Sequence, residues 1–359
     1  MPRRVTLLRG DGIGPEVVDA AVRVVEATGV ALDWDVQTVG AAAFAQEGTP
    51  LPQRVIDSIA TNGVALKGPV ATPSGRGFRS LNIALRAALG LHVCIRPSRS
   101  YLGAPAPLGA ADVVVIRMTA DDLYAGIEFD AGSPAAEDLA AVINRKLGTV
   151  VAEDSGFSIK PISRAASARA AAAAFDYARA QGRRKVTIVH KATVMRSTDG
   201  LFVEAAREMA SAYPEIECEE RQVDSVCHTL VTRPGSLDVL FTSMLYGDIL
   251  SDLCAALVGG LGLAPGASVG AGCAVFDVVH GTAPRLAGRN IANPMAAILS
   301  GGMLLRHLGE DEASRRLEAA VATVIREGRT LTYDLRRDRA ESAAGSTSEV
   351  ADAVVAALV

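Results

Sequence analysis

Asp248 and Asp252 lie four residues apart in YGDILSD (residues 246–252), just ahead of a long uncharged segment. On a helix, positions i and i+4 share a face, so two carboxylates placed this way converge. They repel unless a positive charge comes between them. A hard divalent cation, Mg²⁺ or Mn²⁺, meets that need because it takes oxygen ligands. The alternative is a solvated pair, one acid capping the helix and the other favouring its dipole. Spacing alone leaves both readings open.

Three arginines offer the complementary chemistry. Arg86 closes SLNIALR (residues 80–86), Arg96 stands in IRP, and Arg117 directly follows the apolar run VVVI. A guanidinium presents a fixed bidentate fork, so three of them suit a substrate bearing several carboxylates. Any one arginine also fits a surface ion pair, Arg117 least so because it ends a buried strand. Ser80 reads as a helix N-cap, and Asn82 shares a helix face with Arg86. Tyr124 is either a core tyrosine or a proton donor. Lys191 directly follows the strand-like VTIVH, where burial would lower its pKa and fit it for chemistry. Asp224 is a lone acid with no meaning by itself. HGTAP (280–284) and IANP (291–294) form a turn-rich stretch whose exposed backbone could hold a nucleotide, with Arg285 directly after the first motif. Tyr333 and Arg337, four apart, could read a ribose phosphate or form a charged surface.

These residues need rigid elements beneath them. Strand-like runs at 5–8, 113–117, 186–190 and 239–242 alternate with helical patterns, which predicts an α/β protein. An alanine-rich helix over 162–181 ends in Gly182-Arg-Arg-Lys, a C-terminal signature. GDGIGPE (10–16) is not a dinucleotide fingerprint. It reads as a tight turn with Pro15 at the first helical position and Glu16 on the helix dipole. Residues 253–276 carry no charge, but their glycines and Pro265 predict a buried helix end, a loop and a core strand rather than a membrane span.

Composition narrows the class. At 359 residues the chain suits about two domains. With 49% hydrophobic residues it can bury a sizeable core, and a net charge of -4 argues against a nucleic-acid surface. The five cysteines show no CxxC or zinc spacing and read as buried thiols in a reducing compartment. The apolar run at 5–8 is far too short for a signal peptide, so a cytoplasmic protein without membrane attachment is expected.

Taken together, the segments resemble the β-decarboxylating dehydrogenases, which act on isocitrate, homoisocitrate, 3-isopropylmalate or tartrate. The resemblance runs end to end through GDGIGPE, LKGP, SLNIALR, IRP, DLYAGIE, HK, STDGLF, YGDILSD, GGLG, HGTAP and IANP. It implies a two-domain α/β fold with a mixed parallel and antiparallel sheet and no Rossmann fingerprint. Residues 1–98 plus 256–359 would form the larger, cofactor-binding domain. Residues 99–255 would form the smaller one, with the dimer interface and a clasping arm near 130–160.

The resemblance also implies a homodimer with shared active sites. Ser80, Asn82, Arg86, Arg96 and Arg117 would hold the substrate, and Asp248 and Asp252 the Mg²⁺ or Mn²⁺. Asp224 and Lys191 would come from the other subunit, Lys191 to assist removal of the hydroxyl proton. Tyr124 would protonate the enolate left by decarboxylation. Thr72, His280, Gly281, Thr282, Ala283, Arg285, Asn293, Tyr333 and Arg337 would hold the cofactor. SLNIALR looks like the isocitrate branch. Arg285, Tyr333 and Arg337 favour NADP over NAD, although Leu286 departs from the NADP pattern. Met118, Thr193, Met244 and Asp277 replace polar or longer groups usual in the family, which suggests a specialised substrate such as a phosphonate analogue. Two readings compete with catalysis of this kind. The retained Lys191, Tyr124 and three aspartates disfavour a non-catalytic regulatory subunit, and the missing P-loop disfavours a Mg²⁺-dependent phosphotransferase.

Overall fold

The structure, a computed structural model, describes residues 2–71, 80–148, 150–152, 154–336 and 341–358. Its strands are β1 (Arg3–Leu8), β2 (Leu32–Val36), β3 (Val64–Lys67), β4 (Leu91–Arg99), β5 (Asp112–Met118), β6 (Ile127–Phe129), β7 (Phe157–Ile159), β8 (Lys185–His190), β9 (Glu217–Gln222), β10 (Val239–Thr242), β11 (Pro265–Gly270) and β12 (Ala274–Val278). Ten of them form one sheet in the order β2-β1-β3-β12-β11-β4-β5-β10-β8-β9, and β6 pairs with β7 separately. Both flanks are parallel, while β12, β11, β4 and β5 run antiparallel to their neighbours at the centre. The mixed sheet is therefore as the sequence predicts. Parallel strands are covered on both faces, which is why VALK of β3 and VLFT of β10 are buried throughout.

The helices are α1 (Gly14–Ala27), α2 (Ala41–Glu47), α3 (Gln53–Asn62), α4 (Leu81–Ala88), α5 (Pro134–Leu147), α6 (Arg164–Ala180), α7 (Asp199–Ala210), α8 (Val223–Thr232), α9 (Met244–Leu257), α10 (Met295–His307), α11 (Asp311–Glu327) and α12 (Thr347–Ala356). One core packs α1, α10, α11 and α12 against strands from both ends of the chain. A second packs α6 and α7 on the strands of the middle, with Phe202 and Phe241 stacked 4.8 Å apart. The opposite face of those strands receives α8 and α9. No helix among the described residues is long and apolar enough to cross a membrane.

Three local expectations differ. Cys218 is exposed and Cys227 half-buried, so not every thiol is buried. Helix α9 begins at Met244, so neither acid caps it and both sit inside it, still at i and i+4. The uncharged segment after it yields two antiparallel strands, β11 and β12, instead of one, because the glycine-rich bend between them reverses the chain.

Register at the centre of the sheet builds a floor. Residues directly opposite one another across neighbouring strands project from the same face. Lys67 pairs with Asp277 and Asp277 with Gly266, while Ser268 pairs with Cys94 and Cys94 with Arg117. Arg96, two residues after Cys94, shares that face. Side chains distant in sequence are thus gathered on one surface before any loop contributes.

Candidate active site

Over this floor lies a cavity of about 480 Å³ lined by Lys67, Ser80, Asn82, Arg86, Arg96, Arg117, Tyr124, Asp248, Asp252, Asp277, His280 and Gly281, among others. The three arginines are buried and held by short contacts. Arg86 Nε donates to Ser268 Oγ at 3.2 Å. Arg117 Nε donates to the Met244 carbonyl at 2.6 Å, and its Nη1 to Asp248 Oδ1 at 2.7 Å. Arg96 Nη2 lies 3.4 Å from Asp277 Oδ1. Their field is strong: although burial works against it, Arg86, Arg96 and Arg117 hold the Cys94 thiol below its usual value.

Glycines make room for two of these side chains. A Cβ on Gly247 would stand 2.6 Å from Arg117 Cγ, and one on Gly266 would stand 2.4 Å from Arg96 Nη1. The Gly of YGD thus lets Arg117 lie across the first turn of α9.

Several polar atoms facing this region are buried without a hydrogen-bond partner among the described residues: Arg96 Nη1, Arg117 Nη2, Asn82 Oδ1, Asp277 Oδ1 and His280 Nε2. An orphaned buried donor costs about 1–3 kcal/mol, more when charged, so such a cluster marks where a ligand belongs. Two orphaned guanidinium nitrogens call for anionic oxygens. Ser80 occupies the N-cap of α4, but its hydroxyl makes no capping bond and faces the cavity instead.

Asp248 and Asp252 are exposed on the cavity's rim. Burial and then the Asp248 charge raise the Asp252 carboxyl above its usual range. Two carboxylates side by side offer oxygens that fit a hard divalent cation. The Tyr124 hydroxyl donates to Asp248 Oδ2, and the Arg117 guanidinium lies 5.0 Å from the Tyr124 ring centre. Burial and the bond to Asp248 push the Tyr124 hydroxyl up to about 12, so it keeps its proton at neutral pH.

Lys191 and Asp224 lie outside this cavity and pair with each other, Nζ to Oδ1, at 2.7 Å. Among the described residues, no three acid, histidine or cysteine side chains come together as a metal site. Within one chain, then, the structure groups Asp248 with Asp252 and leaves Asp224 apart.

The expected cofactor residues fall into three groups. His280 and Gly281 line the cavity, and His280 Nδ1 lies 2.9 Å from the Gly281 carbonyl; burial lowers this imidazole's pKa. Thr282 and Ala283 continue the same loop, braced by the N-terminal glycine turn: Ile13 N donates to the Thr282 carbonyl at 3.0 Å, and a Cβ on Gly12 would stand 2.1 Å from that oxygen. GDGIGPE forms a turn with Pro15 in the first turn of α1, as the sequence predicts, and this turn also braces the loop. Asn293 is committed internally, accepting from Met295 N and donating to Asp334 Oδ2, both at 3.0 Å. Arg285 is exposed, while Tyr333 lines a small cleft with Arg289 and Glu341. Thr72 and Arg337 lie outside the described residues.

Sequence reasoning missed a buried pair. Lys67 Nζ donates to the Gly68 carbonyl at 2.9 Å and lies 3.9 Å from Asp277 Oδ2, with both side chains under 5% exposed. Burial pushes the lysine down to about 8, while Arg96 and Lys67 overcome burial to hold Asp277 below its usual value. The available signal was a lysine ending the all-buried strand VALK.

A larger cavity, about 660 Å³, lies between Tyr101, Tyr177, Met303 and Glu318. Two of its arginines are already satisfied, Arg183 by Asp112 and Asp238, Arg306 by Glu318. It gathers no orphaned polar atoms, and the smaller cavity is the better candidate despite its size.

Comparison with known proteins agrees with this geometry. The family model described as isocitrate/isopropylmalate dehydrogenase matches residues 4–354. The chain is 44% identical to the alpha chain of a probable mitochondrial isocitrate dehydrogenase (NAD) of Drosophila melanogaster, covering 93% of this chain and 83% of that protein. It is 42% identical to a regulatory chain of the mitochondrial isocitrate dehydrogenase (NAD) of Dictyostelium discoideum, covering 93% and 87%. Its fold matches the crystal structure of isocitrate dehydrogenase from Methylococcus capsulatus with a TM-score of 0.90 at 44% identity, covering 100% of this chain and 99% of that one.

These relatives overturn one expectation. The preference for NADP, read from Arg285, Tyr333 and Arg337, is corrected to NAD by relatives whose names specify NAD. Physically, an exposed arginine is screened by salt and discriminates weakly. With a family model spanning residues 4–354 and relatives at 42% and 44% identity over most of both chains, the protein belongs to the isocitrate/isopropylmalate dehydrogenase family of decarboxylating oxidoreductases.

Proposed function

We propose that the protein oxidatively decarboxylates isocitrate or a close 2-hydroxy tricarboxylic analogue with NAD⁺. The observation that carries this reading is the convergence of Arg86, Arg96, Arg117 and Lys67 on one cavity whose rim holds Asp248, Asp252 and Tyr124. The orphaned nitrogens of Arg96 and Arg117 would bind carboxylates, with Ser80 and Asn82 beside them as hydrogen-bonding groups for a third. A divalent cation held by Asp248 and Asp252 would supply positive charge beside the substrate's hydroxyl, and bound NAD⁺ would accept its hydride.

The chain's own residues account for the proton movements. Tyr124 keeps its proton, and its bond to Asp248 holds it at the cavity rim, where it can protonate carbon after CO₂ leaves. Lys191 and Asp224 complete a neighbouring subunit's site, Lys191 assisting removal of the hydroxyl proton and Asp224 adding a third carboxylate for the cation. Their position outside the chain's own cavity supports this assignment. So do the exposed apolar side chains Val231 on α8 and Ile249 on α9, and Leu147 and Val150 near the end of α5. Apolar surface of this kind suits a partner's interface. We take the neighbour to be a second copy of this chain.

The test follows absorbance of the reduced cofactor with the purified chain, Mn²⁺, NAD⁺ and a panel of hydroxy acids. Turnover of isocitrate by this single chain is expected. Turnover confined to isopropylmalate, tartrate or a phosphonate would change the substrate, and none without another chain would exclude the homodimer.

A further inference from the structure

Behind the site lies a charged cluster that the mechanism above does not use. Lys160, in the segment joining β7 to α6, reaches in beneath α9 with its side chain 10% exposed. Its Nζ donates to Asp199 Oδ1 at 2.5 Å, lies 3.9 Å from Asp122 Oδ1, and sits 4.8 Å over the Tyr246 ring. Met195 Sδ lies 3.9 Å from it. Asp122 is fully buried and Asp199 nearly so.

Each of these partners is attached to a different functional element. Asp122 Oδ1 accepts from Leu123 N at 2.8 Å, at the start of the short turn carrying Tyr124. Its Oδ2 accepts from Leu245 N at 3.0 Å in the first turn of α9, the helix of Asp248 and Asp252. Asp122 holds a left-handed φ of 62°, a strained conformation for a non-glycine residue that surrounding contacts must maintain. Asp199 Oδ2 accepts from Lys191 N at 2.7 Å and so fixes the backbone of the other proton-transfer residue. Breaking a buried ion pair on one side leaves an uncompensated charge, so these carboxylates depend on the lysine between them.

We infer that Lys160 is a positioning residue that ties the Tyr124 turn, the Asp248 helix and the Lys191 backbone into one rigid unit. This rests on the shared-site reading above, and that reading gives it a consequence. Tyr124 and Asp248 serve the chain's own site, while Lys191 serves its neighbour's. One buried lysine therefore supports two active sites at once.

The test uses a hybrid dimer in which one chain carries Tyr124→Phe and the other Lys191→Met. Its one complete site takes Tyr124 from the Lys191→Met chain and Lys191 from the Tyr124→Phe chain. Lys160→Met is placed first in one chain and then in the other. The expected result is a loss in kcat from either placement, up to about 10²-fold for a displacement near 1 Å. KM should change less than about threefold, since the lysine touches no substrate. Loss from only one placement, or from neither, overturns the inference while the shared-site reading stands. A hybrid without activity before Lys160 is touched overturns both. Where Lys160→Met alone melts below the assay temperature, adding Asp199→Asn removes one of the two unpaired charges, that of the nearer carboxylate, yet leaves an oxygen to accept from Lys191 N, and the same outcomes apply.

Discussion

The arginine-lined cavity and the Lys191–Asp224 pair hold the same kinds of groups under opposite conditions. In the cavity, Arg117 is buried and bonded to both Asp248 and the Met244 carbonyl, and glycines at 247 and 266 leave room for the guanidinium chains. The other pair is an ion pair at the surface, with the Asp224 side chain 67% exposed. A surface ion pair of that kind contributes little to stability. A lysine and an aspartate that stand outside their own chain's cavity support the proposal that they are parts supplied to another subunit.

Changes to the two regions should separate this account from a single-chain one. Asp248→Asn has the largest expected effect, lowering kcat/KM at least about 10³-fold, since the carboxylate holds Arg117, Tyr124 and the proposed cation together. Steady-state kinetics across a Mn²⁺ titration checks it, and saturating metal should not restore the rate. Asp224→Asn should lower turnover about 10²-fold by weakening cation binding, with the melting temperature unchanged. A single-chain account, in which Asp224 is only a surface partner of Lys191, expects no change in either.

Gly247→Ala comes next. Its methyl group would stand 2.6 Å from Arg117 Cγ, so the arginine must shift. A fall in kcat/KM of up to about 10²-fold is expected, with a stability loss of about 1–3 kcal/mol from overpacking, read by denaturant unfolding. The smallest effect concerns pH. Lys67 loses its proton in the free enzyme above about 8 because burial disfavours the charge. The cavity then holds one positive charge fewer, and kcat/KM for a carboxylate substrate should fall about tenfold as pH rises through that value. Lys67→Met should flatten that limb of the profile. Stability runs the other way. The folded pKa lies below the ordinary 10.5, so the unfolded chain binds this proton more tightly, and the cost that the buried Lys67 charge imposes on folding is relieved as pH rises from about 8 to 10.5.

The sequence shows the chemically active residues better than their partners. Asp248 and Asp252 are legible because helical period alone places them on one face. Arg117 is legible because it ends a run of Val and Ile. The Lys67–Asp277 pair is not, since it depends on which strands become neighbours, and β3 pairs with β12 although more than half of the chain separates them. Asp277 stands out in the sequence only as a shortened glutamate, whereas in the structure it is the counter-charge beneath Arg96 and Lys67. Lys160 is equally silent, an ordinary lysine in a connecting segment. The NADP expectation failed because residue type at an exposed position does not reveal how strongly its charge is felt. The glycine turn near the N-terminus was readable for the reverse reason, since Pro15 leaves few ways to arrange it.

The central claim, that each site is completed by a second copy of the chain, is tested most directly by complementation. Tyr124→Phe and Lys191→Met chains are each prepared as inactive proteins, then mixed by joint refolding. Half of the randomly paired dimers carry one complete site, so about a quarter of the wild-type isocitrate-dependent rate should return. A mixture no more active than its separate components would contradict the account.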